Sequence, residues 1–228
     1  MWATANLFME LKKEKIKFVD GFKIRNTLDP DFCLLHGYSV DISKEKSKYY
    51  IPQGEVWIDS RFKDEFDFLW AVYQFMTPDE KHTYREKREL VKQKLCLPGI
   101  PPEFVLKREK RKEFEIVYVD GKIVRQYIDP EFMFGAHSYV YSYIPENEIW
   151  LDIKTEDKEI PFILLHEEVE RRLMKEGGKN YDIAHDYATI AEKEARREAG
   201  NRYPGDDDYP WWALSNEEII EREYIVDK

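Results

Sequence analysis

The chain has 228 residues, of which 36 are Lys or Arg and 46 are Asp or Glu, so its formal net charge is −10. Only two cysteines are present, which excludes a disulfide framework and a four-cysteine zinc site. Hydrophobic residues make up 43%, too much for an intrinsically disordered protein. No apolar run reaches the ~18 residues of a membrane span, so we expect a cytoplasmic protein without a membrane partner. The high Lys and Glu content is typical of thermophile proteins.

The first part of the chain is predicted to contain strands followed by helices. Two β-rich runs flank Asp20-Gly21, a dipeptide typical of two-residue hairpins, and a second strand pair and two helical regions follow. The predicted strands are 16–19, 22–28, 38–42 and 55–59, and the predicted helices are 62–76 and 79–95.

Beyond the Pro-rich break at 98–102, the same order of elements is predicted again. The strands are expected at 114–119, 122–128, 138–143 and 148–152, and the helices at 159–176 and 180–199. We therefore divide the chain into an N-terminal repeat (1–98), a C-terminal repeat (99–200) and a tail (201–228).

Matching motifs support an internal duplication. Residues 19–25 recur at 119–125, an Asp-Pro-acid-Phe motif follows in both copies, and residues 50–59 parallel 143–152 with a shared Trp. The predicted fold class is α+β, with two homologous domains that each contain a small antiparallel β-sheet and a packed helix pair.

The helix predicted over 159–176 carries the candidate chemistry. Its apolar stripe turns His166 toward the core, and Glu170 lies one turn later on the same side. Side chains at i and i+4 can bind one ion, as in the H-E-x-x-H metal motif. A carboxylate is also an acceptable ligand for Zn²⁺, so the H-E-x-x-E pattern here fits a metal site.

The following helix offers a third ligand. A stripe of small residues there, Ala184, Ala188, Ala191 and Ala195, favours close packing of the two helices, and His185 flanks this stripe. Three protein ligands with one open position are typical of a catalytic zinc site. We predict a divalent metal, zinc first, at His166, Glu170 and His185, with metal-bound water activated by Glu167 as general base. His137 and Glu192 are candidates for supporting a ligand or contacting substrate.

This part of the sequence resembles a zincin-like domain found in uncharacterised proteins of phages, plasmids and their prokaryotic hosts. The resemblance covers about residues 114–199 and has Glu at position 170, where most peptidases of this type have His. It implies a metal at His166, Glu170 and His185, with Glu167 as the general base. The residues that carry it are 135–137, 143–145, 148–152, 166–174, Tyr181, Ala184 and His185.

The first copy lacks these candidate ligands. Tyr73, Gln74 and Thr77 align with His166, Glu167 and Glu170, and His82 aligns with His185 only after a gap. The first copy keeps the repeated motifs but not the metal-binding residue types. We therefore interpret it as a partner domain with a degenerate site.

We expect a metal-dependent hydrolase-like protein, with a peptide or protein as its substrate. A structural metal without chemistry is a second interpretation. A third is a non-catalytic interaction or nucleic-acid-binding protein of a mobile genetic element, because the segment 81–112 has eleven Lys or Arg against four Glu, a net charge of +7. Its candidate nucleic-acid contacts are Lys107, Arg108, Lys110, Arg111 and Lys112.

Overall fold

The computed structural model of the chain describes residues 16–37, 51, 55–77, 79, 81–203 and 224–226. The strand predicted at 38–42 and most of the tail lie outside the described residues. The first half of the molecule, as used below, is residues 16–95. It consists of β1 (Ile16–Val19), α1 (Gly21–Thr27), β2 (Leu35–Gly37), β3 (Val56–Asp59), a 3-10 helix (Ser60–Glu65), α2 (Phe66–Met76) and α3 (Tyr84–Leu95).

The second half, residues 105–198, has the same order of elements after one additional strand. It consists of β4 (Val105–Lys110), β5 (Glu115–Val119), α4 (Gly121–Tyr127), β6 (Gly135–His137), β7 (Glu148–Asp152), α5 (Ile160–Lys175) and α6 (Tyr181–Glu198). The α+β class is confirmed, and the predicted helices after each sheet are present. The common origin of the two halves stays a prediction.

Both sheets are mixed, so the prediction of antiparallel sheets was wrong. The strand orders are β1-β3-β2 and β4-β5-β7-β6. In the first half, β1 pairs in parallel with β3, and β2 pairs antiparallel with β3. In the second half, β5 pairs in parallel with β7, and β6 pairs antiparallel with β7. The parallel pairing arises because a helix, α1 or α4, follows the first strand and carries the chain across the sheet.

The Asp-Gly dipeptides begin helices and do not form hairpins. Asp20 caps α1 by accepting a hydrogen bond from the backbone N–H of Lys23, and Asp120 caps α4 through Lys122 and Ile123. The residue after Asp20 must be Gly, because a Cβ on Gly21 would overlap the carboxylate of Asp59 at the end of β3. The strands predicted at 22–28 and 122–128 are therefore helices.

The second sheet differs from the predicted elements in two further places. The strand predicted at 138–143 is a turn, because the backbone N–H groups of Val140 and Tyr141 donate back to the carbonyl of His137. The edge strand β4 pairs antiparallel with β5, although no strand was predicted there.

A hydrophobic cluster joins the two halves. It contains Leu34, Phe62 and Leu69 from the first half together with five buried residues of the second, Ile116, Phe134, Ile149, Leu151 and Ile163. No described helix is both long enough and apolar enough to cross a membrane.

Buried ion pairs also cross between the halves, and they do so reciprocally. Arg25 of α1 contacts Asp59 of its own half and Glu159 of the other half, at 3.1 and 2.5 Å. Arg125 of α4 contacts Asp152 of its own half and Glu65 of the other, both at 2.8 Å. The repeated Asp-Gly-x-x-x-Arg motif is therefore part of the junction between the halves.

Candidate metal centre

The three predicted ligands lie together where α5 packs against α6. Ala184 and Ala188 are fully buried between these helices, and their small side chains permit the close approach that the sequence predicted. His166 and Glu170 lie one turn apart on α5, and His185 faces them from α6. The ligand atoms of these three residues are all within 4.8 Å of one another.

The three ligand atoms form a triangle of a size that suits zinc. Nε2 of His166 is 3.1 Å from Nδ1 of His185, and Oε2 of Glu170 is 3.0 Å from Nδ1 of His185 and 3.7 Å from Nε2 of His166. Zinc–ligand bonds of about 2.0–2.2 Å in a tetrahedron place neighbouring ligand atoms about 3.3–3.6 Å apart. Two of the three distances between ligand atoms, 3.0 and 3.1 Å, are slightly shorter than this range, and the third, 3.7 Å, is slightly longer. The donor set and its spacing therefore fit the ion.

The outer ring nitrogens of both histidines face carboxylates. Nδ1 of His166 is 3.0 Å from Oε2 of Glu192, and Nε2 of His185 is 3.3 Å from Oδ1 of Asp31. A proton held at each outer nitrogen leaves the lone pair of the inner nitrogen directed at the centre of the triangle. Two such lone pairs only 3.1 Å apart require a positive charge between them, either a proton or a metal ion.

The pKa values of these residues also indicate that the site favours a positive charge. Burial alone would lower the pKa of His166, but hydrogen bonds with Glu170 and Glu192 outweigh it and raise the pKa to about 10. For His185, contacts with Asp31 and Glu170 likewise outweigh burial and raise the pKa to about 9. The three histidines around Glu170 outweigh its burial and hold its pKa below the usual range.

His137 supports Glu170 from the sheet side. Its ring is fully buried, and its Nδ1 accepts a hydrogen bond from the backbone N–H of Tyr139 at 3.2 Å. The proton of the neutral ring must therefore be on Nε2, which lies 2.9 Å from Oε1 of Glu170. Nε2 of His137 makes no hydrogen bond among the described residues, and the ligand atoms of His137, Glu167 and Glu170 also lie close enough together to hold an ion.

Glu167, the predicted general base, is buried on the wall of the site. Its carboxylate lies against Gly135 of β6, where an added Cβ would be 2.6 Å from Oε1. Burial and the charge of Glu170 raise the pKa of the Glu167 carboxyl well above its usual range. A carboxylate with a raised pKa is suited to accepting a proton near neutral pH.

The candidate ligands line a cleft of about 540 Å³ to which both halves contribute. Glu167, His185, Tyr84 and Asp31 all contribute to its walls. Tyr181 stacks on the ring of His185, with the ring centres 5.2 Å apart. Among the cleft residues, sequence reasoning gave Asp31 no role in the site, because the repeat already explained its segment, and it named Gly135 only among the residues that carry the resemblance.

The position equivalent to the site in the first half has no comparable cluster among the described residues. Tyr73, which aligns with His166, lies on α2 and stacks on Trp70. His82 lies before α3 and is paired with Asp79. The two candidate metal clusters of the described chain both belong to the second half.

Six of the eleven basic residues of the segment 81–112 form ion pairs with acidic groups. Lys107 and Arg111 pair with Glu109, and Arg108 pairs with Glu115 and Glu148. On α3, Arg88 and Lys92 pair with Asp129. The ion pairs reduce the positive potential that phosphate binding requires, and nucleic-acid binding through Lys107, Arg108, Lys110, Arg111 and Lys112 stays a prediction.

Comparison of the chain with protein-family models, with curated proteins and with solved structures gave no match. The zincin-like resemblance therefore stays a prediction that depends on the motif residues.

Proposed function

We propose that the second half holds a divalent metal and that the protein is a metal-dependent hydrolase acting on a peptide or protein. The observation that carries this proposal is the triangle formed by His166 Nε2, Glu170 Oε2 and His185 Nδ1, with edges of 3.0–3.7 Å. Zinc is favoured because two imidazoles and one carboxylate form a common catalytic zinc site.

When bound, the ion supplies Lewis-acid activation of water and of the substrate carbonyl. Glu167 acts as the general base: a carboxylate oxygen accepts a proton from the attacking water and passes it to the leaving nitrogen. The cleft of about 540 Å³ has room for a side chain of the substrate beside this carboxylate.

The metal site is tested by elemental analysis of the purified protein after exposure to zinc. We expect one zinc per chain in the wild type and none in the double variant His166→Ala/His185→Ala. The exposed His82 provides a matched control, and His82→Ala should retain the metal. A wild type without stoichiometric metal, or a double variant that retains it, would contradict the proposal.

The catalytic role is tested separately with Glu167→Gln, which keeps the size of the side chain but removes the base. With a mixed peptide library as substrate, we expect the variant to cleave at least about 100-fold more slowly than the wild type and to retain zinc. Equal cleavage by wild type and variant would contradict the role of Glu167. A zinc-loaded wild type that cleaves no peptide would contradict the hydrolase function and would favour a structural role for the metal.

A further inference from the structure

Two chains of polar contacts lead from the candidate ligands into the first half. The first begins at His166, whose Nδ1 faces Glu192 at 3.0 Å. Oε1 of Glu192 accepts hydrogen bonds from Nε and Nη2 of Arg196, at 2.9 and 2.7 Å. Nη1 of Arg196 donates to Oδ1 of Asn26 on α1 at 2.8 Å. Every member of this chain is buried.

Asn26 is itself fixed within α1. Its Nδ2 donates to the carbonyl of Phe22 at 3.0 Å, so its amide oxygen is the group that faces Arg196. Arg196 is fully buried and its charge is balanced by Glu192. Asn26 of the first half therefore contacts the guanidinium group that holds Glu192 beside His166.

The second chain is shorter and reaches the other histidine. Oδ1 of Asp31 is 3.3 Å from Nε2 of His185. Asp31 lies in the turn after α1, and the carboxylate of Asp29 holds that turn by accepting the backbone N–H of Asp31 at 3.1 Å. The Asp-Pro-acid-Phe motif of the first copy thus places a carboxylate at the metal site of the second.

We propose that the first half completes the metal centre: Asp31 orients His185 directly, and Asn26 orients His166 through Arg196 and Glu192. This inference rests on the proposed metal site and adds positioning residues to it. Carboxylates behind ligating histidines fix the tautomer and increase ligand basicity, and their loss typically weakens metal binding 10–100-fold. The half without ligands is then required for full metal affinity.

The test compares Asp31→Asn with Asp67→Asn in the full chain. Both substitutions remove one negative charge from the first half, but Asp67 is exposed on α2. Zinc affinity is measured by competition with a chromophoric chelator, and we expect Asp31→Asn to bind roughly 10-fold or more weakly than Asp67→Asn. The variant Asp31→Glu should recover part of the affinity.

Cobalt(II) provides a readout that a loss of general stability does not mimic. If Asp31 orients His185, the visible absorption of the cobalt-loaded protein should change in Asp31→Asn and stay unchanged in Asp67→Asn. Asn26→Ala, checked for folding by near-UV circular dichroism, should also weaken zinc binding.

The outcomes separate this inference from the function on which it rests. A wild type that binds neither zinc nor cobalt contradicts the proposed metal site itself. A wild type that binds zinc while Asp31→Asn matches Asp67→Asn in both affinity and cobalt spectrum overturns only the contribution of the first half.

Discussion

Gly135 lies against the carboxylate of Glu167 in a contact that leaves no room for a side chain. Because the added Cβ would also be 2.7 Å from Cγ of Glu167, rotation of the carboxylate alone cannot relieve the overlap. The position of the proposed base therefore depends on a residue of the edge strand β6.

We expect Gly135→Ala to lower the free energy of unfolding by about 1–3 kcal/mol, the usual effect of overpacking. The free energy is measured by urea denaturation of the metal-loaded protein. In a Glu167→Ala background the same substitution should have a much smaller effect, because the overlapping atoms are absent. Equal effects in both backgrounds would show that the contact with Glu167 is not the cause.

The histidine pKa values predict how metal binding responds to pH. Without metal, the raised pKa values of about 10 for His166 and about 9 for His185 mean that both rings hold protons near neutral pH. A group whose pKa is higher in the folded protein than in the unfolded chain stabilises the fold fully when the pH is below the unfolded pKa. This stabilisation is lost as the pH rises through the folded pKa. Metal must displace these protons.

We therefore expect proton release when zinc binds, and an apparent affinity that increases from about pH 6 to about pH 9 as fewer protons compete. Calorimetry in buffers of different ionisation enthalpy measures the released protons. The stability gained from zinc should increase over the same interval, because the stabilisation that the protonated histidines give the metal-free protein declines as the pH rises from the unfolded pKa of 6.5 toward the folded values of about 9 and 10. Binding without proton release would contradict the charge state that we assign to the site.

At the scale of elements, the contact between α5 and α6 sets the distance between the ligands. Ala188 is fully buried in this contact. We expect Ala188→Leu to separate the helices, to lower the free energy of unfolding by about 1–3 kcal/mol and to weaken zinc binding. Ala199→Leu, at the exposed end of α6, is the matched control. Wild-type zinc affinity in Ala188→Leu would show that helix spacing does not control the site.

The longer helices that follow each sheet, α2, α3, α5 and α6, were predictable because their signals are local, whereas the short helices α1 and α4 and the strand pairing were not. The spacing of His166 and Glu170 on α5 follows from the helical period, and the Ala stripe of α6 indicates its packed face. Asp20-Gly21 suits a hairpin and a helix N-terminus equally, and the deciding contact comes from Asp59, far away in sequence. Asn26 and Arg196 are 170 positions apart, so no local pattern joins them.

At the scale of the whole molecule, the two halves are joined by charges that each half cannot balance alone. Arg25 and Arg61 both contact Glu159, at 2.5 and 2.6 Å. In the mirror arrangement, Arg125 and Lys154 both contact Glu65, at 2.8 Å. Because Arg25 and Arg125 are almost completely buried, separation of the halves would leave each with an incomplete set of partners.

The reciprocal ion pairs and the shared hydrophobic cluster predict a single cooperative unfolding transition, although the repeats were predicted as two domains. Glu159→Gln should lower the free energy of unfolding by about 3–5 kcal/mol, because it leaves a buried arginine without one of its charges. Glu156→Gln, which removes only a surface pair with Lys158, should cost far less. Both are measured by urea unfolding followed in the far-UV and near-UV. Two separate transitions, or equal effects of the two variants, would contradict the coupling of the two halves.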